Sequence, residues 1–331
     1  MKKHIAITGP SSMVGRHIQL QLPEFFSRHS VTLGYHFQYD FRKPEVVNDF
    51  LKGLPDETII FHLAGYNGNI GFNKENPTDI YYNTVMMGLN LMRGIEETFL
   101  KVGRPFTLVN MLTSCAYPGD SYLDPTRFFD GKPHDSVECH GFAKRTLFEF
   151  SRQLAKKYWP LEDFNRDYTI LNIVPATLYG PYDSTDPLKS KVVGSLLQKF
   201  LTAKKEGGSV TLFGTGSPQR ELMYVGDFVE NLLKLTSNLY RVQTSPMRVY
   251  NMGSLTHYKI SELALEIAGI LDFPKEKIVW DVSKPDGQQC KKLLMEETFL
   301  LFKQGHLRYI DNGLRSGLRY TIEFLKNNPV A

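Results

Sequence analysis

Short apolar runs alternate with longer amphipathic stretches over the first half of the chain. Each run carries apolar side chains at successive positions, which is typical of strands buried on both faces of a parallel sheet. The predicted strands lie at residues 5–8, 31–35, 58–65, 106–112 and 168–175. The stretches between them predict helices that begin near residue 16 and cover 44–52, 79–99 and 141–157. This alternation predicts an α/β fold built on a doubly wound parallel sheet.

The turn between the first strand and the first helix carries two glycines, Gly9 and Gly15. A strand, a glycine-bearing turn and a helix form the context in which a dinucleotide pyrophosphate binds backbone N–H groups at a helix N-terminus. The match is partial because Ser12 stands where a middle glycine would allow the closest approach. Turns with two glycines also occur in α/β units that bind nothing. We therefore expect a sheet of the Rossmann type, with cofactor binding at this turn as a hypothesis.

The alternation stops after residue 180, where stretches rich in Gly, Pro, Ser and Asp begin. The richest are 180–187 and 207–218, and the helices predicted between and beyond them are 227–238 and 261–271. Residues of these types interrupt helices and strands, so they predict loops and short elements that form a lid or substrate annex rather than more sheet. We expect a smaller, mixed region in the C-terminal part of the chain.

The chain has 331 residues, a length that suits one large α/β domain with an annex or two modest domains. We expect a dinucleotide-binding Rossmann domain over residues 1–180, to which the chain returns at about 223–255. Residues 181–331 would then form mainly a substrate-binding region.

Composition excludes several other classes of protein. Apolar residues make up 42% and charged residues 22% of the chain, which is ordinary for a globular protein and not for a disordered or coiled-coil one. The net charge of +4 is scattered, so we expect no nucleic-acid partner. Three cysteines are too few for a disulfide framework, and no run approaches the ~20 apolar residues that cross a bilayer. These features favour a cytoplasmic protein without a membrane contact.

The first chemical cluster is Thr113, Ser114 and Cys115, just past the end of a central strand. Ligands of open α/β sheets bind at this edge, where hydroxyls polarise a carbonyl group and a thiol of lowered pKa transfers a proton. The competing interpretation is a Ser/Thr turn with a small buried cysteine. The position favours the functional interpretation.

Two further groups of residues carry candidate chemistry. His140 and Lys144 are four residues apart and share one face of a predicted helix, an arrangement that is also common on amphipathic surfaces. Turns at 179–183, 214–221 and 283–287 are plain turns unless a diphosphate must be held. In that case the planar guanidinium group of Arg220 would bind phosphate oxygens through two N–H groups, and Lys199 would contribute a single positive charge.

Together these motifs resemble the extended short-chain dehydrogenase/reductases and, within them, the GDP-L-fucose synthases, which are 3,5-epimerase/4-reductases of a GDP-linked keto-sugar. The resemblance covers nearly the whole chain. Its most specific motifs are Ser-Cys-x-Tyr-Pro at 114–118 and Ser-Lys-Pro-Asp-Gly at 283–287. The others are the Gly9–Gly15 turn, Asp40, 62–65, Asn83, 178–181 and 220–227.

The resemblance implies a role for each matching position. Asp40 would meet the adenine, Lys144 the nicotinamide ribose, Thr113 would polarise the carbonyl and Cys115 would be the epimerisation base. The remaining cofactor contacts would be Gly9, Ser11, Ser12, Met13, Val14, Gly15, Leu63, Ala64, Gly65, Asn83, Leu112, Pro175 and Leu178. The nucleotide diphosphate would be held by Lys199, Phe213, Arg220 and Asp286. The resemblance also implies a homodimer that pairs through the helix beginning near His140, and no metal.

Two positions depart from the family pattern. His140 replaces the tyrosine that precedes the family's lysine by four residues, and Lys191 replaces the histidine that acts as acid in epimerisation. An imidazole that titrates near ~6.5 is a competent acid at neutral pH, and a lysine of lowered pKa donates a proton to an enolate. Alternatively, Lys144 keeps His140 neutral and unable to protonate anything.

The choice between NAD and NADP stays open. The second strand ends with Gly34, Tyr35 and His36, which include neither the acid typical of NAD sites nor the arginine typical of NADP sites. His36 and Arg42 are candidate phosphate contacts. The family resemblance favours NADP slightly.

Three functions compete on this evidence. The first is an NAD(P)-dependent epimerase/reductase of a GDP-linked 4-keto-deoxy sugar, in which His140 delivers a proton and Cys115 and Lys191 exchange protons next to the ketone. The second is a pure epimerase or a dehydratase without net reduction. The third is a non-catalytic subunit that binds a nucleotide-sugar.

Overall fold

The computed structural model describes residues 3–26, 30–35, 37–119, 122–159, 168–184, 186, 189–284, 286 and 288–328. The strands are β1 (His4–Thr8), β2 (Ser30–Gly34), β3 (Thr58–His62), β4 (Phe106–Met111), β5 (Tyr168–Pro175), β6 (Thr177–Tyr179), β7 (Val210–Phe213), β8 (Gln219–Tyr224), β9 (Val249–Met252), β10 (His257–Lys259), β11 (Ile278–Asp281) and β12 (Cys290–Lys291). The α-helices are α1 (Met13–Phe25), α2 (Pro44–Lys52), α3 (Ile70–Glu75), α4 (Pro77–Ile95), α5 (Glu138–Tyr158), α6 (Val192–Glu206), α7 (Val225–Ser237), α8 (Ile260–Leu271), α9 (Glu296–Gln304) and α10 (Leu314–Asn327).

Six parallel strands form the central sheet in the order β2-β1-β3-β4-β5-β9. The chain winds outward from β1 to β2 and then crosses to β3 on the other side. The strand order therefore reverses beside β1, and the crevice at the carboxyl ends of the neighbouring strands is the place where open α/β sheets bind ligands.

Alternating side chains of the sheet enter two separate hydrophobic cores. Ile5, Ile7 and Phe61 pack in the core beneath α1 and α7, whereas Ala6 and Ile60 face the core beneath α2, α4 and α5. Because both faces are covered by helices, the strands are apolar at successive positions. The predicted α/β fold of the Rossmann type is confirmed.

The region after residue 180 contains more regular structure than its sequence indicates. β9 returns to the central sheet, β8 pairs with β6, β10 and β12, and β7 pairs with β11. A third core, which includes Leu197, Phe200 and Leu263, lies beneath α6 and α8. The expectation of loops without more sheet is wrong, because strands of two to six residues are too short to show a period.

The boundaries of two helices matter for the site. The helix predicted over 141–157 is α5, and it begins at Glu138, which places His140 in its first turn. The helix predicted over 79–99 is α4, which ends at Ile95 and continues as one π-helical turn over Glu96–Leu100.

Within the part of the chain that the structure describes, no helix has both the length and the apolarity to cross a membrane.

Candidate active site

The carboxyl end of β4 leads directly into a tight turn that carries the candidate thiol. Thr113 precedes a short 3₁₀ turn, Ser114–Ala116, and its hydroxyl oxygen accepts a hydrogen bond from the Cys115 N–H at 3.3 Å. The backbone of α5 approaches closely here, since a Cβ at Gly141 would lie 2.5 Å from the Cys115 carbonyl oxygen. The turn therefore brings Cys115 against the start of α5.

A basic residue that the sequence analysis did not select contacts the thiol. Lys291 on β12 donates a hydrogen bond from Nζ to Cys115 Sγ at 3.3 Å. Burial on its own would raise the pKa of the Cys115 thiol, but the charge of Lys291, the hydrogen bond with Thr113 and the charge of Lys191 together lower this pKa below its ordinary value. The lowered pKa increases the fraction of Cys115 present as the thiolate, the form that removes protons.

His140 lies in the first turn of α5 and is buried, with 6% of its surface exposed. Its Nδ1 has no hydrogen-bond partner among the described residues. Burial, followed by the charges of Lys144, Lys191 and Lys291, lowers the pKa of His140 to about 3. The imidazole is therefore neutral at pH 7, which differs from the expected titration near ~6.5 because the ring is buried and three ammonium groups act on it.

Lys144 connects α5 to the central sheet. Its Nζ donates a hydrogen bond to the Met111 carbonyl oxygen at the end of β4, at 2.8 Å. Burial lowers the pKa of Lys144 to about 8, so the amine is largely protonated at neutral pH and yet close to releasing a proton. Burial and the Lys144 charge also lower the pKa of His62 to about 3.

Lys191 stands immediately before α6 and acts electrostatically on three groups of the site. Its charge lowers the pKa of Cys115, of His140 and of the buried Asp183 carboxyl, which burial raises overall. The structure thus brings four predicted residues to one edge of the sheet, namely Cys115, His140, Lys144 and Lys191.

The turn after β1 is tightly packed around its two glycines. Gly9 has a φ of +68°, and a Cβ at Gly15 would lie 2.8 Å from the Gly9 carbonyl oxygen. Ser12, which replaces a glycine, caps α1 by accepting a hydrogen bond from the Gly15 N–H at 3.1 Å. Its side chain therefore points along the helix start, and the N-terminal end of α1 suits a diphosphate.

The other predicted cofactor contacts surround the same edge. Leu63 and Ala64 lie against Gly9, and the space beside Gly65 is open among the described residues. The side chains of Leu112 and Leu178 pack in the core. Their side chains are therefore not exposed at this edge. The positions of the remaining residues are also on the edge: Ser11, Met13 and Val14 at the start of α1, and Pro175 at the end of β5.

Asp40, the residue predicted to contact the adenine, forms an ion pair with Arg42. Arg42 makes two hydrogen bonds of 2.8 Å to the two carboxylate oxygens of Asp40 and a third, of 3.1 Å, to Asn83 Oδ1. Hydrogen bonding to Arg42 lowers the pKa of Asp40. Arg42 is thus paired with Asp40 at a largely exposed position, and His36 lies outside the described residues.

The predicted substrate residues fall into separate groups. Lys199 Nζ lies 4.3 Å from the centre of the Phe213 ring and donates to the Thr211 carbonyl oxygen. Arg220 donates a hydrogen bond to the Gln288 carbonyl oxygen. Burial lowers the pKa of Arg220, and the charge of Cys115 partly opposes this shift. No contact between these two groups is present among the described residues.

Asp286 accepts hydrogen bonds from Thr215 on both carboxylate oxygens, so it braces the turn after β7. Pro285 and Gly287, its neighbours in the motif, lie outside the described residues. In the described part of the chain, no cluster of three His, Cys, Asp or Glu side chains is arranged to hold a metal ion.

Sequence reasoning missed Lys291 because its contact depends on a pairing that no pattern reveals. β12 has two residues, and its register places Lys291 beside Arg220 on β8. Arg220 was selected as a phosphate ligand, so the pairing of β12 with β8 is the signal that would have identified Lys291.

Comparisons with known proteins give a consistent result. Residues 5–253 match the model of the NAD dependent epimerase/dehydratase family. The chain is 30% identical over 332 residues to the GDP-L-colitose synthase of Yersinia pseudotuberculosis, with 98% of each chain covered. It is 26% identical to the GDP-L-fucose synthase of Escherichia coli K12, with 99% of this chain and 98% of the relative covered.

Among solved structures, the fold is similar to that of a GDP-L-fucose synthetase from Naegleria fowleri bound to NADP. The TM-score is 0.82 at 20% sequence identity, over 98% of this chain and 94% of that chain. At this level of identity the likeness concerns the fold alone.

Proposed function

The chain belongs to the NAD-dependent epimerase/dehydratase family, and on that premise we propose that it is an NAD(P)-dependent epimerase/reductase of a GDP-linked 4-keto-deoxy sugar. The two curated relatives described above are both named as synthases of GDP-linked deoxy sugars. The observation that carries the proposal is a thiol of lowered pKa, Cys115, beside Lys191 and a buried imidazole at the ligand-binding edge of the sheet.

The proposed cofactor is NADP, and a solved relative was crystallised with it. The Gly9–Gly15 turn and the start of α1 would hold the pyrophosphate, and Lys144 would contact the nicotinamide ribose. The cradle supports this assignment, since a side chain at Gly15 would collide with the Gly9 carbonyl group. When bound, NADPH supplies a hydride for the carbonyl carbon of the sugar.

For epimerisation, we assign the base to Cys115 and the acid to Lys191. The thiolate takes the proton from a carbon next to the ketone, so that an S–H bond forms and the C–H electron pair moves into an enolate. Lys191 then gives a proton to that carbon from the opposite side, and solvent restores the proton balance of both groups. Hydrogen bonds to the enolate oxygen would come from Thr113 and His140.

For reduction, we assign His140 the role of a neutral hydrogen-bond donor rather than a cationic acid. A neutral imidazole has one N–H, and a fixed donor of this kind stabilises the negative charge that develops on a carbonyl oxygen. Lys144, whose pKa is about 8, is the group that can release a proton at neutral pH. The proton that completes the alcohol would therefore come from Lys144 or from solvent in exchange with it.

Epimerisation without net reduction is the second candidate function. It is favoured by one specific observation, which is that the residue in place of the family's acid has a pKa of about 3 and is therefore not an imidazolium acid at pH 7. A neutral donor speeds reduction less than a true acid, because it stabilises charge without neutralising it.

We also propose that the chain forms a homodimer through α4 and α5. An open groove of about 700 Å³ runs along these helices. Its apolar lining includes exposed aromatic rings, an arrangement that typically marks a protein contact. The rings with the largest exposed fractions there are Tyr81, Phe129 and Phe142.

Incubation of the purified chain with GDP-4-keto-6-deoxymannose and NADPH tests the proposed reaction. We expect reduced-nicotinamide absorbance to fall in proportion to the keto-sugar added and a GDP-deoxyhexose to appear in the proton NMR spectrum. Exchange of sugar protons with solvent while the absorbance stays constant would establish the epimerase instead. Nucleotide binding without either change would leave the non-catalytic subunit as the explanation.

A further inference from the structure

We propose that Lys291 is a positioning residue for Cys115: its ammonium group holds the sulfur as a thiolate and thereby sets the pH range in which the base is available. The catalytic consequence rests on the proposed function above. The effect of Lys291 on the thiol does not, because it rests on the 3.3 Å contact between Lys291 Nζ and Cys115 Sγ.

The position of Lys291 is fixed on both sides of the residue. Its Nζ lies 3.3 Å from Cys115 Sγ. β12 pairs with β8 so that Lys291 is in register with Arg220, and the Leu293 N–H donates to the buried Glu221 carboxyl at 2.8 Å. The next carbonyl group, of Lys292, accepts from the Leu123 N–H at 2.8 Å. These bonds fix the backbone on either side of Lys291, so its side chain starts from a defined point within reach of the sulfur.

The charged groups around the sulfur come from every element that meets there. Lys291 is contributed by β12, Lys191 by the start of α6, and Arg220 by β8. The titratable neighbours on α5 are His140, which is neutral, and Cys139, whose pKa burial raises. The charged groups that act on Cys115 are therefore cations, and all of them favour its thiolate form.

The two lysines near the sulfur have different surroundings, which separates their roles. Both lysines lower the pKa of His140, but Lys191 also acts on the Asp183 carboxyl, whereas Lys291 donates a hydrogen bond to the sulfur. After Cys115 has accepted a proton, the Lys291 ammonium favours its loss and restores the base. Lys191 is then left to protonate the opposite side of the sugar.

The direct test is the pH dependence of Cys115 alkylation by iodoacetamide in the protein without ligands, quantified by mass spectrometry of the Cys115 peptide. We expect Lys291→Met to raise the thiol pKa by about one unit or more, which lowers the alkylation rate about tenfold below that pKa. Lys291→Arg keeps the charge and is expected to restore most of the rate. An unchanged thiol pKa in Lys291→Met would overturn the proposal.

Lys292→Met is the matched control, since it makes the same change one position along the chain. The Lys292 ammonium lies over the Tyr122 ring, 5.6 Å from its centre, and is expected to leave the Cys115 alkylation profile unchanged. An equal effect of both substitutions would contradict the proposal, because it would indicate a general change of charge or folding. Thermal unfolding of each variant identifies those that fold.

The catalytic consequence has its own measurement. Lys291→Met is expected to lose solvent exchange of the keto-sugar at neutral pH and to regain it as the pH rises toward the new thiol pKa, while KM changes little. A shifted thiol pKa without any turnover in the wild-type chain would refute the proposed function and leave the effect of Lys291 on the thiol established. Loss of turnover at every pH with an unchanged thiol pKa would refute the role of Lys291 alone.

Discussion

Burial and three nearby ammonium groups together determine the protonation state of His140. Burial disfavours the charged imidazolium most, and the charges of Lys144, Lys191 and Lys291 add to this effect, so the pKa of His140 falls to about 3. In the proposed reaction, His140 would therefore donate one hydrogen bond and would not be the cationic acid that its ordinary pKa predicts.

A phenol at this position is expected to improve reduction. His140→Tyr places an O–H group beside Lys144, whose charge favours release of the phenolic proton. We expect the rate of NADPH consumption with the keto-sugar to rise about tenfold or more, within the range that general acids contribute. His140→Phe supplies similar bulk without the hydroxyl and is expected to lower the rate below that of the wild type. Equal rates in Tyr and Phe variants would contradict this account of His140.

Among the elements, β8 carries the most consequential side chains outside the central sheet. Arg220 donates to the Gln219 and Gln288 carbonyl oxygens. The adjacent Glu221 is buried against Gly253, with one carboxyl oxygen bound to the Leu293 N–H and the other without a partner among the described residues. Burial raises the pKa of Glu221 to about 8. The folded protein therefore keeps this carboxyl protonated at neutral pH.

The raised pKa of Glu221 makes stability depend on pH in a defined direction. Between about pH 4.5 and 8 the unfolded chain loses this proton and the folded chain keeps it, so the group lowers the free energy of unfolding as the pH rises. We expect Glu221→Gln to be more stable than the wild type at pH 7 by about 2 kcal/mol, with the gain vanishing toward pH 4.5. Urea unfolding at several pH values measures this difference.

Glu276→Gln is the control for that measurement, since Glu276 is exposed and its replacement is expected to leave the profile unchanged. A Glu221→Gln variant whose stability runs parallel to the wild type at all pH values would show that Glu221 is ionised in the folded protein.

The strands also differ in how well the sequence pattern predicts them. β1, β3, β4 and β5 were predicted because a buried parallel strand is apolar throughout, and that signal needs no partner. β10 and β12 have three and two residues, and their pairing with β8 joins distant parts of the chain. Thus Cys115 and Lys144 were found from their places after a strand and on a helix, whereas Lys291 depends on long-range pairing.

At the scale of the whole molecule, α5 connects the candidate active site at the sheet edge with the groove that runs along α4 and α5. The first turn of α5 contributes His140 to the site. The exposed Phe142, two residues further along the helix, lines the groove on the outer face. A partner on this groove would therefore cover the helix that carries His140 and Lys144.

Phe142→Asp is expected to convert the proposed dimer into a monomer, because a charge in an apolar contact must be desolvated without a partner. Sedimentation velocity of the wild type and the variant gives both masses. Tyr240→Asp, which makes the same kind of change at a ring outside the groove that is 61% exposed, is expected to remain dimeric. A wild-type monomer, or a Phe142→Asp dimer, would show that this face does not mediate assembly.

Solvent deuterium exchange tests the proposed thiolate base most directly. The keto-sugar is incubated in D₂O with the wild-type chain or with Cys115→Ser, without any nicotinamide cofactor, and its mass is followed with time. We predict that the wild type introduces deuterium next to the ketone and that Cys115→Ser does so at least about a hundredfold more slowly, in keeping with the usual contribution of a general base. Equal exchange by both proteins, or none by the wild type, would contradict the assignment of Cys115 as the base.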